Sequence, residues 1–582
     1  MPSGNCNMNI KISGVKKALP GKISSCACLG LLSFLSLSAG ATTYYVDYSS
    51  GSDANNGLST NTPWREAPGM NGFSGTYTHL AGDQFIFRGG VTWSNDMAPW
   101  TISNSGVPGT NDYYGVDKAW FSGASWTSPV FDGGSQNPVA SGEWLGYWLL
   151  SGSYVTLDGL TLQNIGVPGV NQGNYAIKLT GHDLTVQNMA LHVESRIALM
   201  LSAAAGGAVG NYTLCSNDIS ECSWGIGGGP EAGTVMTNVL IHDNVLHDFH
   251  DQMVIGVHGD GVYIYSHTTN LNTYCDNLRI YNNFTYGDFS KSDSSTAAMS
   301  AFFWASAQMQ GSAYIYNNVM TYTQNGASIG FAIGGNGSAV ACAGSLGSVY
   351  VFNNSYYADA HSYYFVDAGG LSNLVVMNNI FVGGSAAYSL TQYINNFASD
   401  YNDFYGWKGG IAFNLTYQQF KSSGPIAAIS VNNPGSNYTV GSIITAAYGL
   451  GALATVTSTN AAGGATGLNL MTGGFGYVAN WPGMTALKAG SGGGLTVGST
   501  VPTPSGFEMH GSTNNPLFVS ASDLHLQPGS PAIGAGTNLS YLFVTDKDGN
   551  PRSAGGNWDV GAYVGQTAPA PIAPPTNLRL QQ

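Results

Sequence analysis

A short alternating pattern recurs along the chain: four to six positions in which apolar and polar residues alternate, closed by an asparagine. The phrases end at Asn164, Asn188, Asn217, Asn244, Asn283, Asn318, Asn354, Asn379 and Asn402. Their spacings of 24, 29, 27, 39, 35, 36, 25 and 23 residues lie within the range of roughly 20–50 residues that is typical of repeat architectures. The pattern therefore predicts a solenoid.

The residues inside each period indicate which solenoid this is. Each phrase is rich in Val, Ile, Leu and Tyr and is followed by Gly, Asn or Ser, as is typical of a short strand and a turn. Further strand-like stretches lie within the periods, among them NYAIKL (174–179), SRIALML (195–201) and DGVYIYS (260–266). Two or three short strands per period, stacked in register, predict a parallel β-helix.

We interpret the repeated asparagines as structural corners. Asparagine tolerates the left-handed backbone conformation better than most residues do. Its side-chain amide can also bond to its own backbone or to the equivalent asparagine one coil away, as in stacked amide ladders. The asparagines are therefore expected to carry structure rather than chemistry.

Composition agrees with strands and turns. Glycine accounts for 81 of 582 residues, and charged residues make up only 8%. Helical solenoids need long stretches with a 3.6-residue period, and this sequence has few of them. Most of the exposed surface must then consist of Ser, Thr, Asn and Gly turns. We predict an all-β fold.

Two regions outside the repeats, at the start and at the end of the chain, have a familiar form. The start comprises TTYYVDYSSGSDANNGLSTNTPW (42–64) and AGDQFIFRGG (81–90), and the end contains NNPLFVSASDLHLQPGSPAIGAGT (514–537), DKDGNPR (546–552) and WDVGAY (558–563). In these stretches the chain resembles the secreted right-handed parallel β-helix proteins of the pectate-lyase-like superfamily. The resemblance implies a right-handed parallel β-helix with an N-terminal cap and closing coils. It says little about activity, because this scaffold hosts lyases, hydrolases, epimerases and non-catalytic adhesins.

The chain divides into five predicted segments. These are a signal peptide (1–41), a parallel β-helix with its N-terminal cap (42–423), a small inserted β-domain (424–505), closing β-helix coils (506–565) and a Pro-rich C-terminal linker (566–582). The insertion carries no charge except Lys488 and contains an internal duplication, ISVNNPGSNYTVGSIITA against LNLMTGGFGYVANWPGMTA. We favour a spacer over a glycan-binding role for it.

The signal-peptide prediction sets the compartment. Four lysines precede an apolar run from Cys26 to Ser38, and Ala39, Gly40 and Ala41 supply small residues for cleavage. The run is shorter than the ~20 residues that a membrane-spanning helix needs. We therefore expect a secreted protein, extracellular or periplasmic, with no membrane insertion, no nucleic-acid partner and a monomeric state.

Removal of the signal would leave 13 basic against 31 acidic residues, a formal charge of −18. It would also leave four cysteines, at Cys215, Cys222, Cys275 and Cys342. A bridge between Cys215 and Cys222 and burial of free thiols are both consistent with the sequence. We favour burial, because a long solenoid buries ample core without disulfides.

Candidate chemistry concentrates in residues 238–267. Five of the eleven histidines lie there, together with four aspartates: His242, His247, His250, His258, His267, Asp243, Asp248, Asp251 and Asp260. Titratable groups that lie together shift one another's pKa values and are typical of functional sites. Glycines around Asp260 leave the backbone open to a ligand.

Counting from the corner asparagines adds two cations and an acid. Arg196 lies eight residues after Asn188, and Lys291 lies eight residues after Asn283 with Asp293 close behind. Equal offsets in stacked coils should give neighbouring positions, with about 4.8 Å between coils. The interpretation is one groove with Lys291, His258, Arg196, Asp251 and Asp260 as catalytic residues and His250 and Asp293 as substrate ligands.

Each member has a structural alternative. Asp243 suits a turn, and His242 and His247 flank the corner with the alternation of a surface strand. Asp-Gly is an ordinary turn, Lys291 suits a solvated loop, and Arg196 follows Glu194 and can pair with it. These alternatives stay open for Asp251, His258 and Asp260 as well.

The leading functional hypothesis is a polysaccharide lyase. Lys291 or His258 would remove the proton next to a uronate carboxylate that Arg196 neutralises. Asp251, Asp260 and Asp293 could hold Ca²⁺, because hard cations prefer oxygen ligands. The negative net charge opposes binding of a polyanion, so local cations or Ca²⁺ would have to offset it.

Two alternatives remain. A glycoside hydrolase would use two of the same aspartates as a pair. A non-catalytic glycan-binding or adhesion protein would use aromatic platforms, for which 33 Tyr and 12 Trp are available. No conventional pectate-lyase or polygalacturonase motif decides among the three.

Overall fold

The computed structural model describes most of the chain after the predicted signal peptide. The described residues are 40–136, 146–166, 175–203, 209–231, 233–249, 259–265, 273–287, 300–305, 311–322, 329–333, 347–358, 364–384, 386–390, 394–412, 414–445, 449–478, 492–501 and 504–565.

The chain folds as a right-handed parallel β-helix, as predicted. Within the described residues it visits three long parallel sheets in turn, and these contain 12, 11 and 10 strands. We number them sheet 1, sheet 2 and sheet 3 in the order in which each coil meets them. A strand followed by a crossover to a parallel neighbour is right-handed in nearly all proteins, for steric reasons.

The strands of sheet 1 are β1 Thr43–Val46, β2 Gln84–Phe87, β5 Asp112–Val116, β8 Val155–Asp158, β11 Leu184–Gln187, β14 Val209–Cys215, β17 Val235–His242, β20 Tyr274–Tyr281, β23 Ser312–Tyr316, β26 Ser348–Phe352, β29 Asn373–Met377 and β32 Asn396–Asp400. Those of sheet 2 are β3 Thr92–Trp93, β6 Val130–Gln136, β9 Thr161–Ile165, β12 Ala190–His192, β15 Asp218–Ser220, β18 Val245–His247, β21 Phe284–Tyr286, β24 Val319–Tyr322, β27 Ser355–Ala358, β30 Ile380–Val382 and β33 Asp403–Tyr405.

The strands of sheet 3 are β4 Trp100–Ile102, β7 Gly146–Leu150, β10 Tyr175–Leu179, β13 Ile197–Ala203, β16 Trp224–Pro230, β19 Asp260–Tyr265, β22 Ser300–Ala305, β25 Ile329–Ile333, β28 Tyr364–Ala368 and β31 Ala386–Leu390. The remaining elements are β34 Ala428–Ser436, β35 Ile443–Thr445, β36 Leu450–Thr459, β37 Ala465–Phe475, β38 Gly493–Thr500, a 3₁₀ turn Asn95–Met97 and helix α1 Tyr417–Ser422.

A ladder of buried asparagines joins the coils at the corner between sheets 1 and 2. Each asparagine donates from its backbone N and its Nδ2 to the Oδ1 of the next one. For Asn283 these distances to Asn318 are 3.1 and 3.0 Å. The Nδ2 of Asn318 also donates to the carbonyl of Ile280 at 2.9 Å. The ladder comprises Asn217, Asn244, Asn283, Asn318, Asn354, Asn379 and Asn402.

The structure corrects the predicted corners in two places. In the ladder coils, the residue before the asparagine adopts the left-handed conformation, for example Asn317 with φ 54°. Asn188 occupies that preceding position, so its exposed side chain bonds to Asp158 rather than to the ladder. Asn164 lies in β9 of sheet 2 and is not at this corner. Their phrases match the others in sequence, but they differ in register.

A glutamate ends the ladder. Asn402 donates from N and Nδ2 to the two carboxyl oxygens of Glu508, at 3.1 and 2.8 Å, and the Ser399 hydroxyl also donates to this carboxyl. Glu508 is fully buried and has φ 51°. Burial raises the pKa of its carboxyl to about 8, although the hydrogen bonds from Ser399 and Asn402 act in the opposite direction.

Residues 424–501 form the small inserted β-domain. Its strands pair antiparallel, β34 with β38 and β36 with both β35 and β37. Most of its buried apolar residues form a cluster of their own, with Ile444, Val456 and Val497 among its members, whereas Leu450 belongs to the main core. Glu508, where the ladder ends, follows this segment directly in the chain.

The segment after the insertion packs on the outside of the helix. Leu539 and Trp558 are buried in contact with Tyr316 and Phe352, whose side chains project from the outer face of sheet 1. The buried Arg552 donates to Oδ1 of Asn317 at 2.8 Å, which ties the segment to a corner of the coil stack.

The cysteines that the structure describes are buried. Cys215, Cys222 and Cys275 are buried free thiols, and Cys342 lies outside the described residues. In the described part of the chain, no helix is long and apolar enough to cross a membrane.

We predict that Asn318→Ala lowers the free energy of unfolding by about 3 kcal/mol. The change removes the partner of the buried backbone N–H of Asn283 and of the Ile280 carbonyl, and each unsatisfied buried group costs ~1–3 kcal/mol. The Nδ2 of Asn283 keeps its bonds to the carbonyls of Ile241 and Tyr281. Asn396→Ala is the matched control, because it removes one exposed bond from Asn396 to Asn373. Urea unfolding should show a loss of at most about 0.5 kcal/mol for the control. Equal losses would contradict a stabilising role for the buried ladder.

We predict that Glu508 makes stability fall with rising pH. Because the pKa of Glu508 is raised from 4.5 to about 8 in the folded state, the folded chain holds up to one more proton than the unfolded chain between about pH 4.5 and pH 8. The free energy of unfolding should fall through this window by up to about 1.4 kcal/mol per pH unit. Urea midpoints measured from pH 5 to 8 should decline less steeply in Glu508→Gln, and parallel curves would refute the assignment.

Candidate functional site

The outer face of sheet 3 carries the predicted site residues that the structure describes. Its strands bend so that two consecutive residues point inward, for example Ala198 and Leu199, which both join the main core. The residues on either side of each inward pair form two outward columns. The first column contains Tyr175, Ile197, Trp224 and Asp260, and the second contains Lys178, Met200, Gly227 and Tyr263.

These outward side chains form a cluster of their own. Tyr175, Ile197, Met200 and Trp224 are buried together, with Tyr263 packed against them. Lys178, Arg196 and Tyr263 are only half-buried. A ligand on this face would therefore meet two cations and a phenol ring above an apolar base.

Arg196 is held by aromatic stacking. Its Cζ lies 4.7 Å from the centre of the Trp224 ring, and the Trp224 and Tyr263 rings are 4.4 Å apart. Its carbonyl accepts the Trp224 N–H at 2.8 Å, which fixes the two strands to each other. A guanidinium fixed in this way presents a planar fork of donors, which matches the two oxygens of a carboxylate.

Asp260 lies on the same face as Arg196. It begins β19, its N–H donates to the carbonyl of Ser223 at 2.8 Å, and its side chain is fully buried. The residue before it, Gly259, occupies the column of Arg196 two strands away. At ~4.8 Å per strand, the two backbone positions are separated by about 10 Å.

Five predicted residues lie outside the described part of the chain: His250, Asp251, His258, Lys291 and Asp293. In sequence, His258 directly precedes Gly259, and Lys291 and Asp293 lie in the connection that leads to β22, the neighbour of β19. Both stretches thus precede strands of sheet 3 in the chain.

Equal offsets from the corner do not measure position on this sheet. Residues 221–223 join β15 to β16, whereas residues 248–259 join β18 to β19. The longer connection moves the column of Arg196 to Gly259, far beyond the offset at which Asp251 occurs. The register between strands, not the residue count, defines which residues are neighbours.

The two described histidines of residues 238–267 lie on different sheets. His242 ends β17 in sheet 1 and stacks on Tyr281 at 4.6 Å. Burial alone would lower the pKa of His242, but hydrogen bonds with Asp243 and Cys215 raise it to about 9.

His247 ends β18 in sheet 2, where it bonds to Asp218 at 2.9 Å and to Asp248 at 2.8 Å. Burial opposes its protonation, yet these two carboxylates raise the pKa of His247. Both histidines are thus paired on surfaces other than that of Arg196, in line with the structural alternative for them.

Sequence reasoning missed Lys178, Trp224, Tyr263 and Asp367 on this face. Asp367 continues the column of Tyr263 three strands further along, and burial raises the pKa of its carboxyl. The signal that could have found these residues is the pair of consecutive inward residues in strands of sheet 3 such as β10, β13 and β28. A strict period of two assigns the residues before that pair to the wrong face.

A metal site is not defined by the described residues. Among them, no three His, Cys, Asp or Glu side chains lie close enough to hold a metal ion. Of the three predicted Ca²⁺ ligands, the structure describes only Asp260.

No protein-family model and no curated protein sequence matches the chain. Among solved structures, the chain is similar to pectate lyase Pel9A, with 15% identity, a TM-score of 0.44 and coverage of 90% of this chain and 98% of that one. It is also similar to a GH136 lacto-N-biosidase from Eubacterium ramulus, with 12% identity, a TM-score of 0.39 and coverage of 62% and 67%. A rhamnogalacturonan lyase has 13% identity, a TM-score of 0.32 and coverage of 65% and 86%. These identities and TM-scores are low, and the right-handed parallel β-helix is assigned from the three parallel sheets of the protein itself.

Proposed function

We propose that the protein binds an acidic polysaccharide along the outer face of sheet 3 and cleaves it by β-elimination at a uronate. The observation that carries the proposal is the guanidinium of Arg196, stacked on Trp224 and half-buried. A cation placed on an aromatic base and shielded from bulk water binds a carboxylate more strongly than a solvated surface arginine does.

Local charge favours a uronate at this position. The protein as a whole is negative, with a formal charge of −14. On this face, however, Lys178 and Arg196 provide two positive charges over the rings of Tyr175 and Trp224. Repulsion from distant carboxylates is screened beyond a Debye length of about 8 Å at physiological salt, so the charge that a ligand meets is set by these two cations together with Asp260 and Asp367 on the same face.

In β-elimination, a base removes the proton on the carbon next to the carboxylate. Negative charge then develops on the carboxylate, and Arg196 stabilises this charge more in the transition state than in the bound substrate. The bond to the leaving oxygen breaks as a carbon–carbon double bond forms, and the oxygen takes up a proton. Tyr263 provides the ring on which a sugar face can pack.

For the base we propose Lys291 or His258, whose chain segments lead into β22 and β19. Either group can accept a proton if its neighbours keep it neutral near the working pH. We further propose that Asp260, with Asp251 and Asp293, supplies oxygen ligands for Ca²⁺, which would neutralise the uronate together with Arg196.

The first test is a panel of acidic and neutral polysaccharides, with Ca²⁺ present and after chelation. A lyase should release unsaturated ends that absorb in the ultraviolet from at least one uronate polymer. New reducing ends without this absorbance would instead indicate a hydrolase that uses paired aspartates. Binding without either product would indicate a non-catalytic glycan-binding protein, and both of these outcomes would overturn the lyase proposal.

We predict that Arg196→Gln lowers kcat/KM on the uronate polymer by about 100-fold or more, because removing one transition-state charge partner costs roughly 3 kcal/mol. Arg279→Gln is the matched control. Arg279 also stacks on an aromatic ring, with its Cζ 5.3 Å from Tyr314, but it lies on sheet 1. Steady-state rates for the two variants should separate clearly, and similar rates would remove Arg196 from the mechanism.

A further inference from the structure

A second corner of the coils carries a column of left-handed residues. Each residue of this column directly precedes the residues that pair between neighbouring coils in sheet 1, and the φ angles of these residues range from 51° to 58°. The residues of this column are Tyr154, Asp183, Asn211, Asn238 and Asn277. The three asparagines and Asp183 form an exposed amide ladder, for example from Asn211 Nδ2 to Asp183 Oδ1 at 2.9 Å.

Tyr154 breaks the rule of this column. Asparagine and aspartate tolerate the left-handed region, whereas a bulky residue there is a conformational outlier. Such an outlier costs of order 1–3 kcal/mol and persists only when the surrounding structure holds it. The column therefore accepts strain at the one position where it places an aromatic ring.

Tyr154 is half-buried and borders an open cavity of about 300 Å³. The cavity is lined by Pro108, Gly109, Asn111, Tyr154, Asp183, Thr185 and Asn211. Its volume lies at the lower end of the range of roughly 300–1,000 Å³ that is usual for small-molecule sites. A space of this size accommodates a short stretch of sugar rings.

The polar groups of the cavity are held in place. Asp183 accepts from Asn211 at 2.9 Å and is hydrogen-bonded to the His182 ring at 2.6 Å. Asn111 donates to the Thr156 hydroxyl at 3.2 Å. The Tyr154 ring meets the His182 ring edge-on at 5.4 Å, so its orientation is fixed as well.

These groups match a neutral sugar. An aromatic ring packs against the C–H face of a pyranose, and carboxylate, amide and hydroxyl groups bond to its hydroxyls. The described residues that line the cavity include one carboxylate and neither lysine nor arginine. A uronate would therefore meet the Asp183 carboxylate without a lysine or arginine among the lining residues to offset it.

We infer that this cavity is a second saccharide-binding site, which takes a neutral oligosaccharide on the ring of Tyr154. It lies at the edge of sheet 1, whereas the uronate site is proposed on sheet 3. The inference does not rest on the proposed β-elimination, because it uses none of the same residues.

The test uses the full-length protein and calorimetric titration with cellohexaose, xylohexaose and mannohexaose. The wild type should bind at least one of them, and Tyr154→Asn should weaken that binding at least tenfold. Because asparagine suits the left-handed conformation, the melting temperature of this variant should equal or exceed that of the wild type. Loss of binding with retained stability distinguishes a ligand contact from a packing role.

Tyr401→Asn is the matched control. Tyr401 is also left-handed, with φ 59°, and also stacks on a histidine, His510, at 4.5 Å, but it does not line the cavity. It should bind the hexaose as the wild type does, and so should Arg196→Gln. The inference is overturned if the wild type binds none of the three hexaoses, if Tyr154→Asn binds normally, or if Arg196→Gln loses the same ligand.

Discussion

The buried asparagine ladder is the interaction on which the rest of the structure depends. Each asparagine side chain in it donates a hydrogen bond to the next coil and accepts hydrogen bonds from the previous coil, so none is satisfied by its own coil alone. Donors buried without acceptors would cost more than the hydrogen bonds contribute, and the coils must therefore stack in one register. A slip of one residue would also turn the apolar side chains away from the core.

The ladder also decides where the chain can vary. At the corner between sheets 1 and 2, two residues join the strands in coil after coil, as at 216–217, 243–244 and 282–283. The connections into sheet 3 differ widely, with residues 221–223 in one coil and 248–259 in the next. Because one corner holds the register, another can take insertions without disturbing the stack. The charged side chains of the proposed site, Lys178, Arg196 and Asp260, accordingly lie on sheet 3.

This division explains how much the sequence could reveal. The fold follows from local rules, since alternation predicts strands and recurring asparagines predict corners. The site follows from distances between coils, and these depend on connection lengths that a residue count does not convert into position. His242, His247 and Asp260 are near one another in sequence, yet they lie on sheets 1, 2 and 3. Arg196 and Asp260 lie on one sheet, and Trp224, which stacks with Arg196, gave no periodic signal that set it apart.

Tyr154 and Glu508 are two of the left-handed residues that are neither asparagine, aspartate nor glycine, and each is explained by a different constraint. At Tyr154 an exposed corner carries a ring beside a cavity, so the exception points to a ligand. At Glu508 the exception solves a problem of termination. An asparagine there would need a further acceptor for its own amide, and the inserted β-domain interrupts the coils that would supply one. A carboxyl group accepts hydrogen bonds from both donors of Asn402 and has no NH₂ group that would need a further acceptor. The ladder can therefore stop inside the core without leaving an amide unsatisfied. The cost is a buried acid, which burial keeps protonated up to about pH 8.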